Sequence, residues 1–81
     1  MKLYKHNGLC NISGARIRQR REALGLSQEQ LSAKLQLLGL ELNQKVVSRV
    51  ETGLRVVPDF ELAYYARALD TDVLWLLGLQ D

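Results

Sequence analysis

The residues best suited to chemistry lie at 43–52. Lys45, Ser48, Arg49 and Thr52 recur at i, i+3, i+4 and i+7, a wholly polar stripe with two cations. Lys45 and Arg49 carry donors that suit the O6 and N7 acceptors of guanine, and the neighbouring Gln44 suits N6 and N7 of adenine. Asn43, Ser48, Thr52 and Arg55 are better matched to backbone phosphates. Gln28 opens another helical segment, where unsatisfied N–H groups form an anion site to which its amide adds a donor. A solvated surface helix shows the same polar face, so the stripe alone leaves both readings open.

Other chemistry finds less support. His6 and Cys10 lie four apart, but two ligands do not make a zinc site, and a His/Cys nucleophile pair lacks an orienting third group. The expectation is no metal, no cofactor and no catalysis.

The elements that must position the stripe belong to one small domain. The chain has 81 residues, 47% apolar and 25% charged, with one Pro and six Gly. That composition excludes disordered and collagen-like chains. No apolar run reaches the ~18–20 residues of a membrane span, and the first residues lack the apolar core of a secretion signal. Cys10, the single cysteine, cannot form an internal disulfide. A cytoplasmic protein is expected. Residues 1–57 carry a balance of +6 and residues 58–81 a balance of −4, which suits a polyanion on one face only. The acidic C-terminal half offers a surface for a protein partner.

No period-2 run appears, so the fold class is all-α. Residues 1–12 read as a flexible N-terminal arm, with a turn at Asn7–Gly8, before a domain at 13–81. Ser13 is the expected N-cap of a helix over about 14–24, with Ile12 and Ile17 as a hydrophobic staple. Ser27 and Gln30 form a capping box for a helix with Leu31, Leu35 and Leu38 inward. Asn43 caps the helix at about 44–52, whose inward side is Val47, Val50 and Glu51. Pro58 precedes a helix at about 59–69, with Leu62, Ala63, Ala66 and Leu69 inward. A fifth helix, capped by Asp70 or Thr71, spans about 72–77. Arg21 shares the inward face of the first helix with Ile17 and Leu24. Arg21 and Glu51 are therefore expected to pair, since an unpaired buried charge is costly. Arg16, Arg18 and Arg20 read as a solvated basic face.

The segments around 28–38 and 44–52 match a helix-turn-helix reader, since the ~12 Å major groove of B-DNA admits one helix. The stretch Arg16-Ile-Arg-Gln-Arg-Arg-Glu-Ala-Leu-Gly-Leu-Ser-Gln-Glu-Gln-Leu, then Val47-Ser-Arg-Val-Glu-Thr-Gly, Pro58 and Ala66-Arg-Ala-Leu-Asp, resembles the Cro/C1-type (XRE-like) helix-turn-helix family. The resemblance implies a five-helix lambda-repressor-like fold and sequence-specific binding of double-stranded DNA by a transcriptional repressor. It also implies the Arg21–Glu51 pair and a phosphate contact from Gln28. Two departures stand out. Thr52 lies where the family often has Asn, and Gln36–Asn43 makes the second connection about five residues longer than the usual tight turn.

The fifth helix is apolar nearly all round. With Val73, Leu74 and Leu77 toward the core, Trp75, Leu76 and Leu79 face outward as a homodimer interface; a deeply buried terminal helix is the alternative. Two further functions compete with a repressor. One is an antitoxin or another protein-interaction module; the other is a DNA-targeting subunit of a modification or recombination enzyme.

Overall fold

The computed structural model describes residues 5–81. Five helices follow one another: α1 (Gly14–Ala23), α2 (Gln28–Leu37), α3 (Gln44–Glu51), α4 (Asp59–Ala68) and α5 (Val73–Leu76). Ile17, Leu31, Leu35, Val47, Val50, Tyr65, Leu69 and Leu76 are fully buried and form one core. All five helices close alike. In each, the N–H of the second residue beyond the C-cap bonds back to a carbonyl of the last turn: Leu26 to Arg21, Leu40 to Leu35, Leu54 to Arg49, Thr71 to Ala66 and Leu79 to Leu74.

Several local expectations change. Ser13 is helical in backbone and makes no side-chain cap bond. The first N–H of α1, on Gly14, goes instead to Asn11 Oδ1 at 2.7 Å. Ile12 is exposed, so no staple forms with Ile17. On α4, Ala63 faces solvent and Tyr65 takes the core position. Asp70 and Thr71 belong to the turn that closes α4, so Asp72 holds the cap position of α5.

Residues 1–4 of the expected arm lie outside the described residues. The rest of that segment turns back through a His6–Leu9 bridge and docks on the end of α3. Cys10 N–H donates to Gly53 O at 2.8 Å. Leu9 packs so closely over Gly53 that a Cβ there would meet Leu9 Cδ2 at 2.5 Å. Asn11 Nδ2 donates to Val50 O at 3.0 Å and to Arg55 O at 2.7 Å. Gly14 permits this junction, because any side chain would collide with the Val50 carbonyl.

The α2–α3 connection is folded onto the core. Leu42 is buried and Leu38 and Leu40 are half-buried against it. Gln36 Nε2 donates to Leu42 O at 3.0 Å. Leu37 points to solvent, because it lies off the Leu31, Leu35, Leu38 stripe that faces the core.

The α1 arginines are not simply a solvated face. Arg20 caps the end of α4, donating from Nε to Leu69 O at 2.8 Å and from Nη2 to Asp70 O at 3.2 Å. Arg16 stacks over Trp75, 4.7 Å from the ring centroid, and reaches Gln80 O at 3.3 Å. Arg18 stays exposed, 3.7 Å from Glu22.

Candidate nucleic-acid interface

The face of α3 is set from behind. Val47, Val50 and Glu51 point inward and are buried, which turns Gln44, Lys45 and Arg49 to solvent and leaves Ser48 half-buried. Asn43 caps the helix by accepting the Val46 N–H on Oδ1 at 3.0 Å, and its Nδ2 donors have no partner among the described residues. Thr52 shares its hydroxyl between Ser48 O at 3.0 Å and Arg49 O at 3.2 Å. That leaves its oxygen as an acceptor and weakens it as a donor. Arg55 joins the same surface: with Asn43, Lys45, Val46 and Arg49 it lines an open groove beside the helix.

Behind the face lies a buried polar knot. Arg21 Nε donates to Glu51 Oε2 at 2.7 Å and Nη2 to Oε1 at 3.0 Å, a two-pronged pair. Arg21 Nη1 also donates to Leu26 O at 2.8 Å. The bond to Glu51 holds the Arg21 guanidinium even more firmly protonated than usual. Gln28 enters the knot from the first turn of α2, donating to Glu51 Oε1 at 3.1 Å. Its own oxygen faces Gln44 Nε2 at 3.5 Å. Gln28 is thus partly committed to the protein, and it ties the start of α2 to the start of α3.

The structure brings Gln28, Asn43, Gln44, Lys45, Ser48, Arg49, Thr52 and Arg55 onto one side of the molecule. It separates the residues assigned to pairing between copies. Leu76 is 0% exposed and belongs to the core, a correction to its outward placement. The helix has a single turn and meets both α1 and α4, which draws Leu76 inward and leaves Leu74 50% exposed in its stead. Leu79 is 72% exposed, and Trp75 is half-buried under Arg16. Asn11 and Glu61 were not singled out from sequence. An Asn three residues before a helix start was the available signal for the first; for Glu61, only its place in the first turn of α4 was.

A family described as a helix-turn-helix domain matches residues 14–74. The restriction-modification controller protein C.AhdI from Aeromonas hydrophila is 36% identical, with a TM-score of 0.69, over 79% of this chain and 86% of that one. The chain belongs to the Cro/C1-type helix-turn-helix family. In fold, this Cro/C1-type protein also resembles the P22 c2 repressor, solved in complex with synthetic operator 9T. That likeness has a TM-score of 0.72 and 23% identity over 86% of this chain and 98% of that one. No curated protein matches this chain. Among the described residues, no helix is long and apolar enough to cross a membrane.

Proposed function

We infer that this Cro/C1-type protein is a sequence-specific, double-stranded DNA-binding transcriptional regulator that lays α3 in the major groove. The observation that carries the reading is the outer face of α3. Gln44, Lys45 and Arg49 are exposed, Gln44 with one long bond to Gln28, on a helix whose orientation is locked from behind by Arg21, Glu51 and Gln28. These three side chains read base edges. Gln28, Asn43, Ser48, Thr52 and Arg55 flank them as phosphate contacts and fix the register. The donor of Thr52 is partly spent on its own helix, so its contact is the weakest of the set. No step of bond making or breaking is needed. Regulation follows from occupancy, and repression is the proposed direction.

One reading helix covers too few base pairs to single out one genomic site. Two copies with reading helices ~34 Å apart overcome this, and the proposed working form is a homodimer. The exposed Leu74 and Leu79 beside Trp75 supply the apolar surface for it, without Leu76. The likeness to C.AhdI favours a more particular role, control of restriction–modification genes. Such genes beside this protein's own would support that role. The general reading is tested by gel-shift titration of the purified chain against duplexes selected from a random pool, with Arg49→Ala as the control that should lose the selected preference.

A further inference from the structure

Arg55 is held at two points. Its backbone carbonyl accepts the bond from Asn11 at 2.7 Å. Its guanidinium Nη2 lies 3.9 Å from Glu61 Oε2. The two side chains differ in setting, since that of Arg55 is 39% exposed and that of Glu61 only 10%.

Glu61 is an unusual residue to bury. Its Oε1 finds no hydrogen-bond partner among the described residues, and neither does the hydroxyl of Tyr65 one turn along α4. Its counter-charge stands farther off than the ~2.7–2.9 Å of a hydrogen-bonded charge pair. A buried carboxylate so poorly compensated adds little to stability, and an apolar residue of similar volume often does as well or better. An acid in the first turn of α4 suits the helix dipole. Asp59 meets that need in the same turn while staying exposed, so the dipole does not account for the burial of Glu61.

The other side of Arg55 supplies a reason. Lys45, Arg49 and Arg55 line one groove, and three like charges within a Debye length repel. A long side chain with an exposed end turns away from such neighbours unless something draws it back. We propose that Glu61 is a positioning residue for DNA binding: its carboxylate holds the Arg55 guanidinium at the rim of the α3 groove, with the outer N–H groups facing a phosphate. The inference rests on the DNA-binding reading and makes a prediction of opposite sign to bulk electrostatics. Removing an acid beside a polyanion strengthens binding by charge alone; losing a positioning residue weakens it.

The experiment is a double-mutant cycle in DNA affinity. The full chain, Glu61→Gln, Arg55→Ala and the double variant are titrated with a mixed-sequence duplex at low salt, because a phosphate contact is independent of sequence. Melting curves establish that each variant is folded. Glu61→Gln should bind about three- to tenfold more weakly than the unmodified chain, and should cause no further loss on the Arg55→Ala background. Should Glu61→Gln fail to fold, Glu61→Met fills the site with an apolar side chain and is read by the same comparison. Unchanged or tighter binding by the Glu61 variant overturns the proposal. So does an equal loss with and without Arg55, which would mean that Glu61 acts on the fold alone. An unmodified chain that binds no duplex overturns the DNA-binding reading as well, whereas binding with an inert Glu61 leaves that reading standing.

Discussion

Arg21 and Glu51 meet in a two-pronged pair at 2.7 and 3.0 Å, joining α1 to the last residue of α3, and Gln28 adds a third bond at 3.1 Å. The carboxylate has almost no contact with water, at 1% side-chain exposure. Arg21→Ala therefore strands a buried charge, and a loss of about 3–5 kcal/mol is expected in denaturant melts. Arg21→Met combined with Glu51→Leu should recover much of that stability. A melting temperature untouched by Arg21→Ala contradicts this account of the pair.

Asn11 makes three bonds at once, to Gly14 N–H, Val50 O and Arg55 O. Asn11→Ala removes a helix cap and leaves the Arg55 carbonyl without its donor, while Val50 O keeps the Gly53 N–H. A loss of about 2–3 kcal/mol should follow, with faster amide exchange in α1 and in the turn at 52–55. Exchange unchanged at both places would show that the junction is held by other contacts.

How far the sequence spoke for itself varies with the kind of signal. Periodicity placed Arg21 and Glu51 on facing inward stripes, and a buried charge must find its opposite, so their meeting was legible. The α3 face was legible for the same reason. Asn11 was not, because Ser13 offered an equally good local cap and only the approach of Val50 and Arg55 decides between them. Leu76 and Leu74 exchanged places because a one-turn helix carries too little period to fix its rotation. Tyr65 takes the core place expected of Ala63 because it lies at i+3 from Leu62, on the stripe with Ala66 and Leu69, whereas Ala63 stands off that stripe.

Burial first, and the nearby Glu61 charge second, push the Tyr65 phenol above its ordinary value. The folded state then holds this proton more tightly than the unfolded chain does. Its contribution is fully present below about pH 10, the ordinary tyrosine value, and is lost as pH rises through the folded-state value. Tyr65→Phe should flatten this alkaline loss in melts taken between neutral and strongly alkaline pH. At neutral pH the change should cost no more than about 1 kcal/mol, since the hydroxyl has no partner among the described residues. A large neutral-pH loss would reveal a bond from that hydroxyl.

The surface at α5 gives a test of assembly. Leu79 is exposed and lies outside the core, so Leu79→Glu should fold normally. Sedimentation at micromolar concentration should show a dimer for the unmodified chain and a monomer for the variant, with weaker binding to a two-half-site duplex. A monomeric unmodified chain, free and on DNA, would reject pairing through this helix.

The central claim is that α3 reads base sequence, and selection of bound duplexes from a random pool tests it most directly. The unmodified chain should enrich a defined half-site. Lys45→Ala and Arg49→Ala should each relax preference at a single base pair by about 1–3 kcal/mol while leaving the others intact. A pool that stays random, or a preference that neither substitution alters, would contradict the assignment of α3 as the reading helix.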